Sequence, residues 1–141
     1  MRASLALALV AAARARETRL SKAQGPPSFF LQDAAGDGKC LGAGVFKRCG
    51  LDTLWYVTGK PGTYSIHRRK LDDDDEDLCL GRAACALPES ALRLGHCRHC
   101  GALKWNVLGD PDAGYALTAG DAGEHCLVRA GDAARTAPCA G

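Results

Sequence analysis

Cysteine and histidine side chains are the groups in this sequence with the clearest capacity for chemistry. Cys85, Cys97 and Cys100, with His96 or His99, have a spacing at which thiolates and imidazoles can close a tetrahedral zinc site. The pair Cys97 and Cys100 also has the form of a redox CxxC motif. However, no second CxxC pair accompanies it, and the βαβ surroundings of redox motifs are absent. We therefore predict disulfides here, with no metal and no cofactor.

Other chemistries have weaker signals. The acidic run from Asp72 to Asp77 offers oxygen ligands for calcium, but it lacks the glycine and the alternating spacing of an EF-hand loop. Runs of like charge are usually solvated loops. The sequence contains no Gly-x-Ser-x-Gly or His-Glu-x-x-His motif, and its four histidines have no evident nucleophile partner. We predict that the chain is not an enzyme.

Composition favours one small globular domain. The 141 residues are 47% hydrophobic but only 6% aromatic, which allows a modest core. The 18 basic and 16 acidic residues give a net charge of +2, too balanced to indicate nucleic acid as a partner. The basic cluster His67–Lys70 is followed directly by the acidic run.

The N-terminus is typical of a secreted protein. After Arg2, an apolar run reaches Ala13, and Ala13-Arg14-Ala15 fits a small-residue cleavage site, so residues 1–15 are predicted to be a signal peptide that forms a helix. An ordinary Ala/Leu helix is the alternative. The run is too short to anchor in a bilayer, and we expect no membrane insertion after its removal. Residues 16–28, with Gly25-Pro26-Pro27, are predicted to be a flexible linker, and 29–141 the ordered domain.

The ordered part repeats a unit of about 50 residues. Leu54-Trp55-Tyr56-Val57-Thr58-Gly59, a turn and Tyr64 align with Lys104-Trp105-Asn106-Val107-Leu108-Gly109, a turn and Tyr115. Three units therefore begin near Phe29, Tyr64 and Tyr115. Each opening strand is followed by a Cys-Leu pair: Cys40-Leu41, Cys79-Leu80 and Cys126-Leu127.

Short apolar runs broken by glycine, aspartate and proline predict an all-β fold. No single unit can bury its apolar face, so three units must share one core. The side chains expected in that core are Leu54, Trp55, Val57, Trp105, Val107 and Leu108. The third unit stops at residue 141 before any Trp strand, so we expect a truncated chain, a missing strand or one supplied by another subunit.

Eight cysteines behind a signal peptide indicate a disulfide framework. Pairing within each unit predicts Cys40–Cys49 and Cys126–Cys139. The other four, Cys79, Cys85, Cys97 and Cys100, would pair among themselves. Each bridge would stabilise the fold by about 2–4 kcal/mol in the chain-entropy model.

Three units of Cys-Leu, a second cysteine and a Leu-Trp or Lys-Trp strand resemble the ricin B-type lectin domain. The resemblance covers residues 29–141 and implies a disulfide-stabilised β-trefoil with an incomplete third repeat. Members carry Gln-x-Trp, and Thr53 and Leu103 stand at the glutamine position here. Trp55 and Trp105 are retained as structural core residues.

The resemblance implies a secreted, extracellular carbohydrate-binding module whose partners are glycans or glycoproteins. Sugar-binding members have an aspartate after the Cys-Leu pair, where this chain has Gly42, Gly81 and Val128. Asp132 is the nearest substitute and is our candidate carbohydrate-binding residue. The absent aspartates favour an alternative, a disulfide-stabilised structural or protein-interaction trefoil without sugar binding.

Overall fold

A computed structural model gives the fold of this chain. The structure describes residues 7–11, 28–34, 36–70, 72, 74–83, 85, 90–99, 103–110, 114–119 and 125–139, with residues 7–11 and 110 described by their backbone. Apart from a short 3-10 helix at Leu51–Thr53, the regular structure of these residues is β-strand, which confirms the predicted all-β class. The strands are β1 (Leu7–Ala11), β2 (Phe29–Asp33), β3 (Cys40–Gly42), β4 (Val45–Lys47), β5 (Trp55–Thr58), β6 (Ser65–Arg68), β7 (Leu78–Arg82), β8 (Ser90–His96), β9 (Trp105–Asp110), β10 (Gly114–Ala119), β11 (His125–Ala130) and β12 (Ala133–Pro138).

Six strands form a closed ring of antiparallel neighbours. The order is β2, β5, β6, β9, β10, β1 and back to β2. Between β6 and β9 the link is Tyr64, whose N–H donates to Trp105 O at 2.9 Å while the Trp105 N–H donates to Tyr64 O at 2.7 Å. A ring leaves none of its strands with a free edge.

The ring repeats the same pairing three times. In each case the first residue of one strand lies opposite an aromatic residue that opens a unit: Trp55 opposite Phe29, Trp105 opposite Tyr64, and Leu7 opposite Tyr115. Two residues further along, Val57, Val107 and Leu9 are the register partners of Ile66, Leu117 and Leu31. β1 therefore takes the ring position that β5 and β9 take in the other units.

Three hairpins, β3–β4, β7–β8 and β11–β12, complete the fold. They meet through β12, in which Ala133 pairs with Val45 of β4 and Arg135 pairs with Ala91 of β8. Each hairpin begins with a Cys-Leu pair, and all three of those leucines are fully buried. The repeated sequence signal thus places one apolar side chain per hairpin in the shared core.

Both tryptophans hold equivalent places in that core. Their side chains are 0% exposed. The Trp55 indole donates a hydrogen bond to Leu41 O at 2.8 Å, and the Trp105 indole donates to Leu80 O at 3.3 Å. Each indole therefore links a ring strand to the Cys-Leu strand of a hairpin. A buried tryptophan usually has a hydrogen-bond partner for its indole N–H, and both tryptophans have one here.

Gly59 and Gly109 take equivalent positions in the antiparallel pairs β5–β6 and β9–β10. Gly59 and Gly109 have φ values of 105° and 118°, which L side chains rarely adopt. A Cβ atom at Gly59 would lie 2.7 Å from Thr63 O, and one at Gly109 would lie 2.2 Å from Gly114 O. Glycine is needed four residues after each tryptophan because the backbone itself occupies the space.

The N-terminal segment differs from its predicted helix. Leu7–Ala11 is strand β1, with Leu7 opposite Asp33 and Ala11 opposite Phe29. The reason is that the facing edges of β2 and β10 carry backbone N–H and C=O groups that need hydrogen-bond partners. A strand supplies these partners, whereas an isolated short helix does not. The predicted cleavage site at Ala15 lies outside the described residues.

Two further expectations need correction. Ser28, predicted to be the last residue of the flexible linker, is buried, and its hydroxyl accepts a hydrogen bond from Arg69. Leu108 is 49% exposed rather than in the core, because side chains alternate along β9 and Val107 takes the inward place. The remaining expected core side chains are buried or packed against the core.

The predicted disulfides Cys40–Cys49 and Cys126–Cys139 are confirmed. In the second unit Cys79 pairs with Cys97, within the predicted group of four. Cys85 is also disulfide-bonded, and Cys100 lies outside the described residues. Each described bridge ties a Cys-Leu strand to chain beyond its hairpin partner, where a small core needs cross-links.

Candidate functional site

A cluster of charged side chains surrounds Arg129 at the junction of the first and third units. We call it the Arg129 cluster, comprising Asp33, Asp37, Lys39, Arg129 and Asp132. Arg129 Nη2 lies 3.0 Å from Asp37 Oδ2 and 2.8 Å from Asp132 Oδ1. Lys39 Nζ lies 2.9 Å from Asp132 Oδ2. The carboxylates outnumber the cations by one, so the cluster is slightly acidic.

Strand geometry holds Arg129 in place. The guanidinium lies 4.6 Å from the centroid of the Phe46 ring on β4, within the range of a cation–π contact. Its Nε also donates to Gly131 O at 2.7 Å, in the turn between β11 and β12. Gly131 has a φ of 63°, which lets this turn place Asp132 back over Arg129. The Arg129 side chain is only 12% exposed, whereas Asp37 and Asp132 are half-exposed.

The ion pairs lower the pKa of two carboxyl groups in the cluster. The pKa of Asp37 is lowered to about 2, first by the hydrogen bond from Arg129 and then by the backbone N–H of Lys39. The pKa of Asp132 is lowered by hydrogen bonds from Lys39 and Arg129. Both carboxyl groups are therefore charged at neutral pH, and they retain acceptor capacity because a carboxylate has about four acceptor positions.

The candidate residue Asp132 thus lies in an ordered polar surface site, although its two oxygens already accept from cations. The Lys39 ammonium has three donors, of which one is used by Asp132. The sequence pointed to Asp132 alone, because Asp37 and Lys39 join it only through packing between the first and third units.

A second polar cluster lies outside the ring on β5, β6 and β7. Tyr56, His67 and Cys79 are register partners in a row across these strands. The Tyr56 and His67 rings stack with centroids 4.6 Å apart. His67 Nε2 lies 2.7 Å from Thr58 Oγ1, and its Nδ1 lies 2.9 Å from Asp77 Oδ1. We call Tyr56, Thr58, His67 and Asp77 the His67 cluster.

Sequence motifs indicated no nucleophile partner for the four histidines, and the structure places the Thr58 hydroxyl beside one of them, His67. The order of hydroxyl, imidazole and carboxylate is that of a nucleophile, a base and an orienting acid. Burial alone would raise the pKa of Asp77, but hydrogen bonds with His67 and Tyr56 outweigh it, so this pKa is lowered. Burial first, and then Asp77, raise the pKa of Tyr56. Asp77, expected in a solvated acidic loop, instead forms hydrogen bonds with Tyr56 on β5 and His67 on β6.

Among the described residues, the zinc ligands suggested by sequence spacing, Cys85, Cys97 and His96 or His99, do not form a group of metal ligands. Cys97 is bonded to Cys79, Cys85 is in a disulfide, and exposed His96 faces Glu76 at 3.8 Å. The sulfur atoms of Cys79 and Cys97 instead lie 3.5 and 3.6 Å from His67 Nδ1. Sequence spacing missed this group because His67 is a cross-strand neighbour of Cys79, 12 positions earlier in the chain.

An apolar pocket of about 280 Å³, partly open to solvent, is lined by strands of the ring. Its lining repeats by unit, with an aromatic residue from each unit at one level and an aliphatic residue at the next. The described lining residues are Phe29, Leu31, Val57, Tyr64, Ile66, Val107, Tyr115 and Leu117. Its threefold composition indicates a packing space of the ring rather than a polar binding site.

Comparison with known proteins yields no match: no family model, no curated protein and no solved structure is significantly similar to this chain. Among the described residues, no helix combines the length and the apolarity needed to cross a membrane.

Proposed function

We propose that this chain is a β-trefoil carbohydrate-binding module, similar to the ricin B-type lectin domain, and that the Arg129 cluster binds glycan hydroxyls. The fold part of this proposal is supported by the threefold repetition of ring pairings and by the equivalent bonds of Trp55 and Trp105. Six ring strands with three hairpins are the strand content expected of a trefoil.

The observation that carries the binding proposal is the geometry of Lys39, Asp132 and Asp37. These side chains are 40%, 49% and 47% exposed, yet ion pairs fix all three. Fixed donors and acceptors lose little conformational entropy when a ligand binds. A sugar with adjacent hydroxyls can donate to one carboxylate and accept from the ammonium at the same time.

A glycan array followed by NMR titration tests the proposal. Asp132→Asn should weaken binding to array hits by about tenfold or more, since hydrogen bonds to charged groups contribute about 1.5–3 kcal/mol. Asp52→Asn is the matched control, because Asp52 forms an exposed ion pair with Lys47 in the first unit, outside the Arg129 cluster. It should leave affinity unchanged.

Absence of binding to every glycan on the array, with circular dichroism showing an intact strand signal, would overturn the sugar-binding proposal. So would hits whose affinity responds equally to both variants. Capture of one protein partner that free sugars do not displace would favour the alternative, an interaction trefoil. The observation that favours this alternative is the absence of an aspartate directly after the Cys-Leu pairs, where the chain has Gly42, Gly81 and Val128.

We also propose that the protein is secreted. Its disulfides are compatible with an extracellular location. A cleaved signal peptide of residues 1–15 would, however, remove β1 from the ring. The intact mass of protein collected from the medium of a secreting host separates the two cases: a mass of residues 16–141 supports cleavage, and the full-length mass supports a retained β1. Protein held entirely inside the host would contradict secretion.

A further inference from the structure

We propose that His67, Cys79 and Cys97 form a zinc site that opens when the Cys79–Cys97 disulfide is reduced. This inference concerns the second unit and does not depend on glycan binding by the Arg129 cluster. It rests on three ligand atoms that the folded chain already places within 4.8 Å of one another.

The ligand spacing matches that of tetrahedral zinc. Bond lengths of about 2.0–2.1 Å for Zn–N and about 2.3 Å for Zn–S give an N···S edge of about 3.5–3.6 Å. His67 Nδ1 lies 3.5 Å from Cys79 Sγ and 3.6 Å from Cys97 Sγ. All three ligand atoms lie within 4.8 Å of one another. After reduction, only the two sulfurs need to separate.

The protein supplies three ligands, two thiolates and one imidazole, and a water can take the fourth position of a zinc tetrahedron. Asp77 lies beside the site, with its Oδ1 2.9 Å from His67 Nδ1. Zinc at Nδ1 would replace the hydrogen bond between the imidazole and this carboxylate.

The surroundings already orient the imidazole for this role. With Nδ1 on the metal, the remaining N–H is at Nε2, which lies 2.7 Å from Thr58 Oγ1. The ring is also held by its stack against Tyr56 and is only 7% exposed. A hydrogen-bond partner on the second ring nitrogen is the usual support of a zinc-bound histidine.

The opening step is a two-electron thiol–disulfide exchange. A dithiol reductant transfers two electrons and two protons to the Cys79–Cys97 bridge, and its own thiols are oxidised to a disulfide. The S–S bond of the protein breaks and two thiols form. Zinc then replaces the two thiol protons, which pass to solvent. Reoxidation of the thiols would release the metal.

Cobalt(II) is the spectroscopic probe and zinc the competing metal in the test. The full-length chain, reduced by a phosphine, is titrated with cobalt, and tetrahedral binding is read from thiolate-to-cobalt charge-transfer and intense d–d bands. We expect one equivalent of tetrahedral cobalt, displaced by zinc, and no such bands before reduction. Circular dichroism on the same samples follows the strand signal.

Cys79→Ser and Cys126→Ser make a matched pair, because both cysteines are 2% exposed and precede the same leucine of their units. Cys79→Ser should abolish the bands, and Cys126→Ser should retain them. His67→Gln, which keeps all cysteines, should weaken binding by more than about 100-fold. Thr58→Val should weaken it by about tenfold, as expected for a group that positions a ligand.

Equal bands in the two cysteine variants, or bands that survive His67→Gln unchanged, would overturn the proposal, since the metal would then be held by other thiolates. A reduced wild-type chain that has lost its strand signal in the presence of zinc would overturn it too, because the site needs the folded positions of β6 and β7. Binding by the oxidised chain would contradict the redox requirement.

Discussion

Replacement of each buried tryptophan by phenylalanine should cost a similar free energy of unfolding, because Trp55 and Trp105 have equivalent environments. Each indole is fully buried and donates to a leucine carbonyl of a Cys-Leu strand. Phenylalanine fills most of the ring volume but leaves that carbonyl without its donor. The two changes therefore test the threefold arrangement and the indole bonds together.

The magnitude follows from two contributions. An unsatisfied buried acceptor costs about 1–3 kcal/mol. The smaller ring leaves a cavity that adds about 1 kcal/mol, by comparison with other losses of buried volume. We expect about 2–4 kcal/mol for each variant, with Trp105→Phe at the lower end because its bond is 3.3 Å rather than the 2.8 Å of Trp55.

Urea denaturation with the disulfides intact is the assay, since the midpoint and the m-value separate a change in stability from a change in the unfolded state. Leu108→Ala is the control, because this side chain is 49% exposed and should change stability by less than about 0.5 kcal/mol. The reasoning is refuted if one tryptophan variant is as stable as wild type while the other carries the full cost.

Three other predictions use different features of the fold. Deletion of residues 1–11 should lower the free energy of unfolding by about 1 kcal/mol for each lost ladder hydrogen bond of β1 and speed amide exchange in β2; an unchanged free energy of unfolding would remove β1 from the ring. Gly109→Ala should destabilise far more than Gly62→Ala, since both have positive φ but only at Gly109 would a Cβ clash with backbone; equal thermal midpoints would contradict this. Asp37→Asn should reduce the loss of stability with acid between about pH 4 and pH 2. The folded pKa of Asp37, about 2, lies below its unfolded value, so the stability that this carboxylate contributes is present above pH 4 and lost as pH falls. An unchanged pH dependence of the unfolding free energy in this range would refute the prediction.

The repeat in the sequence was enough to predict the β class, two disulfides and the burial of both tryptophans. These features depend on residues close in sequence, such as Cys40 with Cys49, or on a pattern that recurs at a fixed spacing. Leu108 was misplaced because an apolar residue in an alternating strand was assigned inward without fixing which face its neighbour Val107 takes.

Long-range pairings could not be predicted in this way. The helix predicted for the N-terminal segment was wrong at Leu7–Ala11, since a local apolar run does not reveal that two strand edges far along the chain remain to be paired. The His67 cluster was missed for the same reason. Thr58, His67 and Asp77 meet through strand register and a folded-back acidic loop, which residue spacing does not encode.

Asp132 shows the limit for binding residues. Its position after the third Cys-Leu pair was a sound reason to select it, but the cations that fix its carboxylate come from other parts of the chain. Lys39 precedes it by 93 positions, and only packing between the first and third units joins them. Whether an acid is free or ion-paired is a property of the fold.

NOE spectroscopy of the isotopically labelled full-length chain can show directly whether the ring is closed by three equivalent pairings. A closed ring gives cross-strand backbone NOEs at all three positions where units join: Phe29 with Trp55, Tyr64 with Trp105, and Tyr115 with Leu7. A spectrum with the hairpin NOEs present but without those between Tyr64 and Trp105 would contradict it.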